Sequence, residues 1–214
     1  MSARIVIVGA GGHGAVIADA LLAAGAEVLG FTDTDSARHG RRVCGLPVLG
    51  DDSVLQEHAP ESLLLANGIG ATGNVAPRRT AQLQLQSAGW RFASVRHPTA
   101  IVSPFASMEG GVQLLAASVV QANAQIGTGC IVNTGAVVEH DVVLGVWTHV
   151  APRAVICGDV VIGADSHIGA GAVIRQGLRL GERTIVGAGA VVVADFAGGG
   201  LLVGVPARHV ERRS

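Results

Sequence analysis

From residue 102 onward the hydrophobic positions recur at every sixth residue. Val102, Met108, Leu114, Val120, Ile126, Val132, Val138 and Leu144 begin the series. Val150, Ile156, Ile162, Ile168, Ile174, Leu180, Val186 and Val192 continue it without insertion or deletion. Two residues before most of these lies a small side chain, among them Ala124, Cys130, Ala136, Thr148, Ala154, Ser166, Ala172 and Ala190. A glycine often follows, as at Gly127, Gly145, Gly163, Gly169, Gly181 and Gly187. A period of six fits neither an amphipathic helix nor a hairpin meander. It predicts a triangular parallel coil in which each hexad supplies one short strand and one corner. The aliphatic residue points inward and the small residue lets the corner close. Three hexads make one turn, so residues i and i+18 stack in one column.

Before residue 98 the rhythm is different. Arg4–Val8 reads as a buried strand, a glycine-rich turn follows, and the pattern then predicts a helix from Gly12 to Ala24. Val28–Phe31 is a second strand, with Asp33 just past its end, and Ser62–Ala66 is a third. A helix through Arg78 and Gln84 precedes a last short strand, Phe92–Val95. Strands alternating with helices indicate a small parallel α/β sheet. His97-Pro98 is the expected boundary, because the residue before proline is pushed out of the helical region. The expected organisation is a Rossmann-like domain over 1–97, a β-helix over 98–196 and a tail over 197–214.

Composition changes the picture little. Hydrophobic residues make up 49% of the 214, but aromatics only 3%, and there are 31 glycines. The core is therefore aliphatic and suited to closely stacked backbone. Net charge is −1 and the basic residues form no run, which argues against a nucleic-acid or membrane partner. No apolar run approaches a membrane span. Cys44, Cys130 and Cys157 are scattered, as suits a reducing cytoplasm.

Two clusters carry chemistry. Gly9-Ala10-Gly11-Gly12-His13-Gly14 has the G-x-G-x-x-G form between a strand and a helix, where bare backbone and a helix N-terminus can meet a phosphate. Asp33 stands where a dinucleotide fold places its ribose-binding acid, so an NAD-binding protein is one reading. The domain is short for that, and nicotinamide chemistry would leave the coil without a task. Glycines used only for turn packing are another reading.

The second cluster is Glu139-His140-Asp141. An imidazole near neutrality can take a proton from an attacking amine or hydroxyl, and a neighbouring carboxylate can fix its tautomer. Gly158 lies one coil above His140 in the same column, where its N–H could face a developing oxyanion. His149 and His167 share a different column, so the coil histidines do not converge on a metal, and none is expected. His39, His58 and His209 read as solvated.

These residues resemble the bacterial nucleotide-sugar acetyltransferases related to sialic acid O-acetyltransferase and to the N-acetyltransferase of bacillosamine synthesis. The resemblance spans nearly the whole chain. It rests on Gly9–Gly14, Phe31-Thr32-Asp33, Asn133-Thr134, Glu139-His140-Asp141, Thr148-His149-Val150 and Gly204-Val205-Pro206-Ala207-Arg208. It implies a left-handed coil and a homotrimer with sites between subunits. It also implies acetyl-CoA as co-substrate, bound through His149, Gly158, Ala170 and Ala188. Gly11, Gly12, His13, Asp33, Thr34 and Gly68, with Asn133 and Glu139, would hold a nucleotide-linked amino sugar. His140 would be the general base, tuned by Asp141 where many relatives carry Glu. The expected reaction is direct acetylation of the amine of a nucleotide-linked 4-amino-4,6-dideoxysugar. O-acetylation of a sugar such as sialic acid and a non-catalytic coil scaffold are the alternatives.

Overall fold

A computed structural model describes residues 4–71 and 73–210. Two compact units emerge: one of residues 4–71 and 76–98, the other of 73–75 and 99–210. No described helix is long and apolar enough to cross a membrane.

The first unit is an α/β sheet. Strand β1 (Arg4–Val8) is an inner strand, pairing in parallel with β2 (Glu27–Thr32) on one side and β5 (Leu64–Asn67) on the other. β4 (Leu46–Gly50) extends the sheet in parallel beyond β2. β3 (Arg42–Val43) closes it as an antiparallel edge, giving the order β3-β4-β2-β1-β5. The sequence signals missed this hairpin. Its turn is Cys44-Gly45, both at positive φ, and Pro47 interrupts what would otherwise read as a strand. Helix α1 (Gly12–Ala23) buries Ile17, Ala18, Ala20 and Leu21. Helix α2 covers Ala76–Ser87, and Phe92 bridges in parallel to Leu65. Val6, Val8, Leu55, Leu63, Leu65 and Trp90 form a core in this unit.

The second unit is a parallel β-helix with three faces. The first face stacks Ile101–Val102, Val119–Val120, Val137–Val138, Val155–Ile156, Val173–Ile174 and Val191–Val192. The second face begins at Ser107–Met108 and ends at Arg179–Leu180; the third carries Gln113–Leu114, Ile131–Val132, His149–Val150, His167–Ile168 and Ile185–Val186. Every paired rung within these faces joins residues 18 apart, such as Val137 to Val155 and His149 to His167. The six-step aliphatic residues from Leu114 to Val192 all lie in one buried core with the small residues between them. Met108 is the exception at 43% exposure, because it sits on the lowest turn, where no coil lies beneath to cover it.

The corners show a second six-step series that composition does not announce. Gly111, Ala117, Asn123, Gly129, Gly135, Asp141, Trp147, Arg153, Asp159, Asp165, Gly171, Gly177, Arg183 and Gly189 all have φ between 55° and 75°. Each of these corners thus turns through one left-handed residue, a conformation that favours Gly, Asn and Asp but here also accepts larger side chains. The glycines after the aliphatic positions serve another need. A Cβ on Gly163 would lie 2.4 Å from Glu182 N, so these sites let successive coils approach.

Beyond Ala197 the chain does not leave the coil. Leu201–Val203 pairs in parallel with Ile185–Val186, and Arg208–Val210 folds back antiparallel on it. Gly204-Val205-Pro206-Ala207 is the turn between them. His209 is exposed, as expected, and its ring lies 5.3 Å from that of Phe196 between centroids.

Candidate active site

In the α/β unit the glycines separate into two groups. Gly9, at φ 97°, Gly14 and Gly68 are required by packing: a Cβ on Gly14 would lie 2.1 Å from Gly9 O, and one on Gly68 2.5 Å from the same oxygen. Gly11 and Gly12 have open space where a Cβ would stand. Turn packing does not explain them. They leave bare backbone at the N-terminus of α1, where Gly11 is the N-cap with no side-chain hydrogen bond. His13 follows in the first turn of α1, partly exposed.

Asp33 stands just past β2, and its carboxylate organises the loop. Oδ2 accepts from Ala10 N at 2.8 Å and Oδ1 from Asp35 N at 2.9 Å. Arg38 donates Nη1–H to Ala10 O at 3.0 Å and pairs with Asp35 at 3.3 Å. His39 Nε2 lies 2.7 Å from Asp33 O, so this histidine is held in the loop rather than solvated. Arg38, Arg41, Arg42, Asp35 and Ala10 line a cleft of about 330 Å³. Thr34 is exposed at its turn. Sequence reasoning missed Arg38, which no motif marks.

In the coil the expected residues fall on two different edges, both bordering the first face. The edge leading from the first to the second face carries Glu139, His140, Asp141 and, one coil up, Gly158. His140 Nδ1 is 2.8 Å from Asp141 Oδ2. With the Nδ1 proton donated to the carboxylate, Nε2 keeps its lone pair free. Both side chains are half exposed or more. The hydrogen bond to Asp141 holds the imidazole pKa above its ordinary value, with the nearby charges of Asp141, Glu139 and Asp159 adding to the effect. Asp141 is held below the usual carboxylate range by that bond and by one from Asn123. Gly158 lies against the ring: a Cβ there would be 2.5 Å from His140 Nε2 and Cε1. Any side chain at 158 would displace the imidazole.

The edge leading from the third to the first face carries Asn133, Ala170 and Ala188, with His149 on the third face beside it. Ala170 and Ala188 are exposed and stacked, joined through Gly189 N donating to Ala170 O at 2.9 Å. His149 is buried, and Asn133 Nδ2 lies 3.1 Å from its Nε2. His167 stacks on His149 edge to face at 4.9 Å, and burial pushes its pKa down. Stacking of successive coils therefore brings His140, Asp141 and Gly158 together and, separately, Asn133 and His149.

Comparison with known proteins identifies the chain. Residues 4–83 match the PglD N-terminal domain, and 148–176 and 159–194 match the bacterial transferase hexapeptide model of six repeats. The acetyltransferase domain of PglB from Neisseria gonorrhoeae, solved with acetyl coenzyme A, is 35% identical, with a TM-score of 0.90 over 98% of this chain and 100% of that one. The chain belongs to the PglD-type acetyl-CoA-dependent sugar N-acetyltransferases.

Other PglD-type structures agree. PerB from Caulobacter crescentus, solved with CoA and GDP-perosamine, is 36% identical over 97% of both chains with a TM-score of 0.88. WeeI from Acinetobacter baumannii is 26% identical over 98% of this chain and 100% of that one, with a TM-score of 0.87. No curated protein sequence matches the chain.

Proposed function

We propose that this PglD-type enzyme moves acetyl from acetyl-CoA to the 4-amino group of a nucleotide-linked 4-amino-4,6-dideoxysugar, with His140 as general base. The observation that carries the reading is the His140–Asp141 pair, at 2.8 Å through Nδ1, with Nε2 open beside Gly158. The neutral amine attacks the thioester carbonyl and forms a tetrahedral intermediate. Nε2 of His140 takes the ammonium proton, the C–S bond breaks, and that proton passes from His140 to the departing thiolate, so coenzyme A leaves as its thiol. No acyl-enzyme forms. The Gly158 N–H steadies the oxyanion, while His149, with Ala170 and Ala188, lines the coenzyme A site and Asn133 faces the amino sugar. PerB, solved with GDP-perosamine, supports an amino-sugar nucleotide as acceptor.

In the α/β unit Gly11, Gly12, His13, Asp33 and Thr34 hold the nucleotide, with the tightly packed turn at Gly68 shaping the site. The open space at Gly11 and Gly12 supports this, since close backbone approach to a diphosphate is what such glycines permit. Glu139 borders the acceptor.

The reading also requires a homotrimer. The base edge and the His149 edge lie on opposite sides of the first face, whose outward residues are Ile101, Val119, Val137, Val155, Val173 and Val191. A stripe this apolar calls for cover. If it faces a threefold axis, the His140 edge of one protomer meets the His149 edge of the next, and the ring closes. The three cysteines are free thiols, which suits work in the cytoplasm.

The test is thiol release from acetyl-CoA with UDP-, GDP- and dTDP-linked 4-amino sugars, and with CMP-sialic acid and free sialic acid. Turnover on an amino sugar, reduced about 10²–10⁴-fold in His140→Ala, is expected. Co-expressed His140→Ala and His149→Ala chains should regain part of the activity that each loses alone. Turnover only on sialic acid would replace the amine by a hydroxyl acceptor, and full activity of His140→Ala would remove the base.

A further inference from the structure

The His140–Asp141 pair is built into a corner, and the corner column beneath it supplies a third member. Asn123 lies one coil below Asp141, and its Nδ2 donates to Asp141 Oδ1 at 3.0 Å, the oxygen that His140 does not use. We infer that Asn123 is a positioning residue for the base: it fixes the plane of the Asp141 carboxylate and, through it, the orientation and tautomer of His140. This rests on the reading of His140 as general base.

The physical need is specific. The terminal torsion of an aspartate is broad, so a single hydrogen bond to the imidazole leaves the carboxylate free to swivel. A second bond on the other oxygen removes that freedom. Asp141 is also one methylene shorter than Glu, and its φ of 60° fixes where its Cβ points. The left-handed corner favours Asp over a longer acid and equally favours Asn one coil below, where φ is 62°. The backbone rungs keep the three residues in register, with Asp141 N donating to Ala122 O at 3.1 Å and Asp159 N to His140 O at 3.0 Å. An amide is the donor this position can use, because it is neutral. A cation there would pair with Asp141 and weaken its hold on the imidazole.

The other charges around His140 are Glu139 beside it and Asp159 one coil above, with Arg179 at 3.9 Å from Asp159. None of these donates a second hydrogen bond to Asp141. The bond from Asn123 is one of the two that hold Asp141 in its ionised form.

The experiment titrates His140 directly by NMR in histidine-labelled protein, its resonance assigned by loss in His140→Ala. Asn123→Gly removes the amide without straining the corner. Asn123→Asp keeps the shape and adds a negative charge. In the wild type the His140 midpoint should lie above about 6.5, the free imidazole value. Asn123→Gly should lower it and reduce kcat about three- to tenfold, the worth of one such hydrogen bond, with KM for both substrates within twofold. Asn123→Asp should move the midpoint the other way, to higher pH. Opposite shifts in two variants of unchanged melting temperature are not what a corner residue would give. An unchanged His140 midpoint in both would overturn the inference, even where activity falls. Because the titration needs no acceptor, that failure is separate from the failure of the base, which retained activity in His140→Ala would show.

Discussion

The two units of this chain place function in opposite ways. In the coil a single rule is repeated: every sixth residue is an inward aliphatic, and from Gly111 to Gly189 every corner turns through one left-handed residue. The candidate histidines His140 and His149 stand out as departures from that regularity, whereas Asp141 and Asn123 keep the corner rule and are seen only through their hydrogen bond. In the α/β unit no rule repeats, and the candidate site is largely backbone, with Gly11 and Gly12 kept bare and Asp33 and Arg38 holding the loop. A periodic scaffold makes functional residues visible as exceptions. A non-periodic one hides them among residues needed for closure.

Substitutions can break or sharpen this contrast. The largest effect is expected in the coil core. Ile156→Ala, at a fully buried position, should lower stability by about 2–5 kcal/mol in denaturant unfolding, the usual cost of such a cavity. Gly163→Ala should follow at about 1–3 kcal/mol, because its Cβ would press on the Glu182 backbone, which cannot move without disturbing the next coil. Gly12→Ala should barely move the melting temperature, or raise it slightly, since the site is open and Ala favours the helix by up to about 1 kcal/mol. Its effect should appear as a higher KM for the sugar nucleotide with KM for acetyl-CoA unchanged. If Gly12→Ala destabilised as Gly163→Ala does, the division between packing glycines and ligand-facing glycines would fail.

The same contrast explains what could be read in advance. Columns of residues 18 apart follow from the period, so the stacking of His149 on His167 and of Gly158 over His140 was legible. The link from Asn123 to Asp141 obeys the same spacing and was available to the same reasoning, but an isolated Asn carries no motif. In the α/β unit the β3–β4 hairpin was missed, because Pro47 masks the strand and the turn at Cys44 uses a left-handed non-glycine residue. The hydrogen bond of His39 to Asp33 O and the ring contact of His209 with Phe196 were likewise invisible, since both are made in irregular loops that no period describes.

By itself the sequence determined the coil, its register and the His140 corner, because a strict period leaves one way to bury the aliphatic residues. It also determined the order of the elements α1, β1, β2 and β5. Only the tertiary structure decided which glycines are spent on packing and which are open, how Asp33 divides its two oxygens, and that Asp141 is held from both sides. It alone set Asn133 within 3.1 Å of the His149 ring. Those outcomes depend on distances of a few ångströms between chain segments, and hydrogen bonds and close contacts are decided at that scale, whereas hydrophobic burial is decided by periodicity.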